Sequence, residues 1–351
     1  MNWLEIGNVQ FLDYSYHDWT KGVKLGYLIS FSEKDGILIR DSQSFELIFN
    51  DVSYGGKKLY YYIFEEELFF TVNDRIFKFD FGIKALISQC NTNEEYIGMV
   101  NENLAIGSTF RRRPRINQNE LIKLTDCCII YNWSDERRLI EIINNELLVF
   151  VNDINAKVIA ISLADNNVLW ELPLIGYSFP RFFEFLSDDI FIVIQSFDTD
   201  HPVEKRFELW GVNTMTGKVC YQLDVGIFNK FILNDEKKLF GISGQKYLCV
   251  DPVVGKILVS KEIKELDKFW ADIGNQSITG IDIFFIVFGK PLVGLFNTKS
   301  QKVEEFISIS VDDTKVDMSQ PLGVPLYHNK KLYVRDNSGV MHVLQREAHP
   351  A

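Results

Sequence analysis

The 351-residue sequence predicts an all-β fold, a β-propeller of seven or eight four-stranded blades, and three observations carry that prediction. One strand, turn and strand unit recurs through the second half of the chain. Its copies are spaced by about the length of a four-stranded blade. No stretch sustains the 3.6-residue apolar period that a long helix requires.

The unit is legible in four copies: VIAISLADNNVLWELPL, ELWGVNTMTGKVCYQL, KYLCVDPVVGKILVSKEI and GLFNTKSQKVEEFISI. In each, a polar residue is followed four positions later by a turn residue: Ser162 with Asn166, Asn213 with Gly217, Asp251 with Gly255, and Asn297 with Gln301. An Asp or Asn at a strand end can bond its own backbone and open a turn. Gly217 and Gly255 supply the positive φ that a tight hairpin needs, and Asn166 reaches it at modest cost. Trp170 and Tyr221, just beyond two of the turns, are expected to pack between blades. The anchors recur every 38 to 51 residues, longer than a leucine-rich or ankyrin repeat.

Weaker copies at 36–49, 75–87 and 120–133 precede these four, and 332–347 follows them. Two short stretches, 263–269 and 275–279, suit a single helical turn each. The last unit lacks an outer strand, so the segment 3–12 is expected to complete the C-terminal blade and close the ring. Residues 1–351 are expected to form one domain, because no Pro/Gly/Ser-rich linker divides them and a propeller removes the exposed edges of an open stack.

The clear copies resemble the repeat of PQQ-type, quinoprotein-like propellers, in which a strand reads apolar, Ala, apolar, Asp, then Thr-Gly, then Trp. Asn213 with Thr216 and Gly217, Asp251 with Gly255, and Trp170 match that pattern in part. The resemblance implies a propeller. It does not imply the quinone, because many propellers of this repeat class bind none and serve as scaffolds.

With 46% hydrophobic and 14% aromatic residues the chain can bury a large core. A formal charge of −11 repels polyanions, which argues against nucleic acid and anionic membranes and favours a basic protein partner. The five cysteines, Cys90, Cys127, Cys128, Cys220 and Cys249, are few and odd in number and do not suggest a disulfide framework. Neither a signal-like N-terminus nor a bilayer-length apolar run is present, so a soluble, cytoplasmic protein is expected.

The five histidines show no HxH or HExxH spacing and the cysteines no CxxC. A nucleophile elbow, a Walker loop and a GxGxxG are likewise missing. The expectation is therefore a non-enzymatic chain with no catalytic residues, no cofactor and no metal. A propeller can still assemble a site from several blades, so an enzyme or ligand-binding propeller with a quinone-like cofactor or small molecule in its central channel stands as the alternative. Quinoprotein dehydrogenases set a vicinal cysteine pair against the quinone, which draws attention to Cys127-Cys128. Adjacent strand residues point to opposite faces, so one cysteine is expected to pack on each side of a blade.

Loops joining second to third strands and loops joining blades should emerge on one face. Two long insertions there stand out: Arg111, Arg112, Arg113 and Arg115 around Pro114, and the stretch holding Asp198, Asp200, His201, Glu204 and Arg206. Inter-blade loops add Tyr177, Phe179 and Arg181, then Asp267, Trp270 and Asp272, then Asp312 and Asp313. Guanidinium forks pair carboxylates, and aromatics among charges are what interface hot spots use. These residues are the candidate partner-binding surface, and the most concrete partner is a basic toxin domain neutralised by an immunity protein.

Overall fold

The computed structural model describes residues 3–10, 23–32, 36–55, 59–64, 66–72, 75–91, 96–112, 115–134, 137–144, 146–152, 156–174, 182–187, 190–197, 206–311 and 322–346. Among them, eight antiparallel sheets form, seven of four strands and one of three. They group into two compact units.

The unit Phe11–Glu136 holds sheets one to three. Sheet one is Tyr27–Ser32, Gly36–Asp41 and Leu47–Asp51; sheet two is Leu59–Phe64, Glu67–Val72, Arg75–Asp80 and Ala85–Asn91; sheet three is Tyr96–Met99, Leu104–Arg112, Arg115–Lys123 and Cys128–Trp133. The second unit combines Met1–Gln10 with Arg137–Ala351. Its sheet four is Arg137–Ile143, Leu147–Asn152, Lys157–Ser162 and Val168–Pro173; sheet five is Phe182–Ser187, Ile190–Phe197, Arg206–Asn213 and Val219–Gly226. Sheet six is Ile232–Leu233, Leu239–Ser243, Lys246–Asp251 and Lys256–Glu262; sheet seven is Ala271–Thr279, Asp282–Val287, Leu292–Asn297 and Lys302–Ser308. Sheet eight takes Leu326–His328, Lys331–Arg335 and Val340–Arg346 from one end of the chain and Trp3–Gln10 from the other. That strand pairs antiparallel from Trp3↔Arg346 to Gln10↔Val340, with an irregularity between Glu5 and Gly7. Residues 11 and 12 of the expected segment lie outside the described residues.

Middle strands are buried on both sides, as in Leu147–Asn152 and Asp282–Val287, and so read as unbroken apolar runs. Last strands alternate, as in Lys256–Glu262. The period of two divides the core between neighbours: Phe191 and Val193 pack with sheet four, while Ile192 and Ile194 pack with sheet six. Sheet seven likewise sends Phe285 and Val287 to sheet six and Phe284 and Ile286 to sheet eight. In the other unit Phe70 faces sheet one and Phe69 faces sheet three.

One hairpin geometry recurs before the last strand of sheets one to seven. Phe45, Lys84, Cys127, Asn166, Gly217, Gly255 and Gln301 all have φ between 52° and 66°. Each lies four residues after Asp41, Asp80, Lys123, Ser162, Asn213, Asp251 or Asn297. The closing bond is Phe45 N–H to Asp41 O at 3.0 Å, and Gly217 N–H to Asn213 O at 2.8 Å. Where the first residue is Asp or Asn its side chain accepts from the turn: Asp41 from Gln43 N, Asp80 from Gly82 N, Asp251 from Val253 N and Asn297 from Lys299 N. The spacing seen in four copies is thus a property of seven hairpins. The copy at 332–347 is a different one. It joins the second and third strands of sheet eight, because the fourth strand comes from Trp3–Gln10.

The same hairpins receive the preceding sheet. Trp170 Nε1 donates to Thr214 O at 2.9 Å, and a Cβ on Gly217 would lie 2.6 Å from the Trp170 ring. Tyr221 lies over Gly255 and its hydroxyl donates to Pro252 O. At the next junction Lys261 Nζ donates to Gln301 O at 3.1 Å. Between sheets two and three the junction is covalent: Cys90 and Cys127 form a disulfide. The expected packing of Cys127 and Cys128 on opposite sides of a strand is therefore corrected. Cys127 is a turn residue at φ 54°, and Cys128 opens the strand with an exposed free thiol.

Of the two expected helical turns, the first contains a 3-10 turn at Lys264–Leu266, whereas 275–279 belongs to the strand Ala271–Thr279. Among the described residues no helix is long and apolar enough to cross a membrane.

Candidate functional site

The two connections expected to carry charge do join second to third strands. The arginine segment is the tip of a long hairpin rather than an insertion: Leu104–Arg112 pairs with Arg115–Lys123 out to Arg112↔Arg115. Arg111, Arg112 and Arg115 belong to that ladder, and Arg113 lies outside the described residues. In sheet five the ladder runs to Phe197↔Arg206. Asp198, Asp200, His201 and Glu204 lie outside the described residues, and Arg206 pairs with Asp224 at 2.8 Å with both side chains more than half exposed. Such an exposed pair contributes little to stability. Tyr177, Phe179, Arg181, Asp312 and Asp313 also lie outside the described residues.

The connection from sheet six to sheet seven is described in full, and its Trp270, bonded through the backbone to Phe288 beyond the second strand of sheet seven, makes a candidate aromatic platform. Asp267 is exposed and closes the 3-10 turn through its N–H to Lys264 O at 3.1 Å. Trp270 is 59% exposed, beside Ala271, which exchanges two backbone bonds of 3.1 Å with Gly244. A side chain at Gly244 would meet the Trp270 ring, so the indole rests directly on backbone. Phe288, 50% exposed, donates its N–H to Trp270 O at 2.7 Å. Gln245 completes the frame: its carbonyl accepts from Ile263 N at 2.8 Å, and its Nε2 donates to Leu266 O at 2.9 Å. Beneath the platform Ile263, Leu266 and Ala271 are buried with Phe285 and Val287. Lys268 and Lys290 are exposed nearby in sequence.

Asp272, by contrast, is turned to internal use. Its carboxylate accepts from Gly274 N at 2.8 Å and Asn275 Nδ2 at 2.6 Å, shaping the irregular first strand of sheet seven, whose register jumps from Ala271↔Val287 to Gln276↔Phe285. Lys230 Nζ donates to Gly274 O at 2.8 Å. The displaced strand places the buried Gln276 against Ile242. Gln276 Oε1 accepts from Ile242 N at 3.0 Å, and its Nε2 donates to Ile242 O at 3.3 Å and Ile273 O at 2.8 Å. The side chain stands in for a strand partner that the two-residue Ile232–Leu233 is too short to provide.

Phe288 is the functional candidate that sequence reasoning misses. It ends the apolar run IDIFFIVF and reads as core. The usable signal is the Gly289-Lys290-Pro291 turn, which stops the strand at Val287 and leaves the next residue outside the sheet.

The one buried acid–histidine contact among the described residues is structural. Asp336 Oδ2 lies 2.9 Å from His342 Nε2, while Oδ1 accepts from Ser338 N, Ser338 Oγ and Val340 N. Burial alone would raise the Asp336 pKa, but hydrogen bonds from His342, Val340 and Ser338 outweigh it and hold the carboxyl below its usual range. Among the described residues no group of three or more His, Cys, Asp or Glu could hold a metal ion.

No family model and no curated protein matches the chain. Solved structures do. BamB from Moraxella catarrhalis aligns with 98% of this chain and 100% of its own at a TM-score of 0.55 and 10% identity. The dihydro-heme d1 dehydrogenase NirN, solved in complex with DHE, aligns with 94% of this chain and 73% of its own at 0.57 and 10%. The β-propeller domain of Cps50 (Swd1) from Myceliophteria thermophila aligns with 83% of this chain and 98% of its own at 0.50 and 9%. At such identities the likeness shows the fold alone. The fold is an eight-bladed β-propeller, with the eight sheets as its blades.

Proposed function

We propose that this chain is a non-enzymatic, protein-binding propeller whose partner is anchored on Trp270 and Phe288. The observation that carries this reading is the pair of large exposed rings on loops already fixed by backbone bonds. A rigidly presented aromatic loses little conformational entropy on binding and removes a large apolar area from water, which is how interface hot spots work. The charge of −11 favours a basic partner, steered by long-range attraction. The finer reading is a cytoplasmic immunity protein that neutralises a basic bacterial toxin domain, with Arg111, Arg112, Arg113 and Arg115 as a further docking element for carboxylates. In this reading Trp3–Gln10 closes the propeller's ring.

The test is affinity capture of the product of a neighbouring gene, followed by binding measurements with the purified pair. Trp270→Ala and Phe288→Ala are each expected to weaken binding by about 30-fold, the loss typical of a hot-spot residue of ~2 kcal/mol. Both variants should melt close to wild type. Unchanged affinity in the double variant would reject the platform. A visible chromophore or a stoichiometric metal on the purified protein would instead favour a ligand in the central channel.

A further inference from the structure

We propose that Cys90 and Cys127 form a redox-sensitive staple between sheets two and three, replacing the aromatic clamp used elsewhere in the chain. The inference stands apart from the partner-binding reading and rests on how corresponding positions are filled. Four residues beyond the positive-φ residue of the hairpin lie Trp170 in sheet four and Tyr221 in sheet five, and each ring covers the hairpin of the following sheet. By the same count sheet two has Ser88, four beyond Lys84, but there the register shift falls later and Ser88 pairs with Phe77, which packs toward sheet one. A serine cannot reach across. Two residues further along the same strand is Cys90, buried at 2% exposure, and its partner Cys127 is itself the positive-φ residue of the next hairpin. The covalent link therefore joins the same two elements, last strand and following hairpin, that the rings join elsewhere.

Access is one-sided. Cys127 is exposed and Cys90 is buried, so an external thiolate attacks Cys127 Sγ and expels the Cys90 thiolate, which takes a proton from water. A second thiol then resolves the mixed disulfide and leaves two protein thiols and one small-molecule disulfide. Oxidation is the reverse: a small-molecule disulfide accepts the two electrons and departs as two thiols. Cys128 adjoins this bond with an exposed thiol of its own. Its hydrogen bond to Asp126 pushes the thiol pKa up, which disfavours the attacking thiolate. In a reducing compartment a lone disulfide of this kind is typically transient and sensing.

The experiment uses the full chain, equilibrated either with glutathione disulfide or with dithiothreitol. Thiol titration in denaturant should find three free cysteines in the oxidised chain, Cys128, Cys220 and Cys249, and five in the reduced chain. Peptide mapping should link Cys90 to Cys127. The oxidised chain should melt several degrees higher and protect the amides around 124–128 better from exchange. That redox difference should disappear in Cys127→Ser and persist in Cys128→Ser. Five titratable thiols after oxidation, a link to any other cysteine, or identical melting of oxidised and reduced wild type would overturn the proposal. No readout involves a partner, so it fails or holds independently of the binding reading.

Discussion

At the scale of single residues, seven hairpins impose one backbone conformation on six different residue types. Gly217 and Gly255 adopt it without strain, whereas Lys84 and Gln301 hold it against the steric preference of an L-residue. Lys84→Gly and Gln301→Gly are therefore expected to stabilise the fold by up to about 1 kcal/mol, after part of the relief is offset by the greater freedom of glycine in the unfolded chain. Urea denaturation would measure it. Asp336 gives a second prediction, about pH. Its folded pKa lies below the ordinary 3.8, so its contribution is fully present above that value and is lost as pH falls through the folded pKa. Wild type should lose stability between pH 5 and pH 2 more steeply than Asp336→Asn, as read from the urea midpoint at each pH. Residue chemistry also explains which turns the sequence reveals. The turns at Asn166, Gly217 and Gly255 are legible because Asn and Gly are the residues that favour positive φ. Those at Phe45, Lys84 and Cys127 are hidden because their side chains carry no such preference.

At the scale of elements, strands were more legible than connections. Middle strands announce themselves as apolar runs, and last strands as alternation, because one is covered on both faces and the other on one. Connections carry no periodicity. Asp272, named from the sequence as a partner-facing carboxylate, accepts two hydrogen bonds within an irregular strand, while Phe288 closes an apolar run yet is half exposed. Gln276 is the element-scale counterpart: a polar residue within a β-run whose purpose appears only when the neighbouring strand proves two residues long. Gln276→Leu would strand both Ile242 N–H and Ile242 C=O in the core. A loss of about 2–4 kcal/mol is expected from two unsatisfied backbone groups. Denaturant unfolding measures the loss, and faster exchange of the Ile242 amide locates it.

At the scale of the whole molecule, the eight-bladed propeller follows from repetition more than from any single motif, which is why a chain of about 10% identity to BamB shares its fold. Partner identity has no such redundancy and leaves no comparable mark on the sequence. The pairing of Trp3–Gln10 with Val340–Arg346 gives the prediction at this scale. Deleting residues 1–10 uncovers one edge of Val340–Arg346 and removes a full ladder of backbone bonds. We expect a loss of at least about 3 kcal/mol from the ladder's backbone bonds, with amide exchange in Val340–Arg346 rising most. Differential scanning calorimetry and hydrogen exchange on the truncated chain would check both.

That pairing also sets an order of events during synthesis. Gln10 leaves the ribosome 330 residues before Val340, its partner. At ~5–20 residues per second, the first strand waits roughly 15 to 65 s with an unpaired edge. Sheets one to seven can assemble in that interval from neighbours in sequence, but sheet eight cannot. Its completion therefore reports that the chain has been made through Arg346, and a product truncated earlier would carry an orphaned strand for a chaperone or protease to recognise.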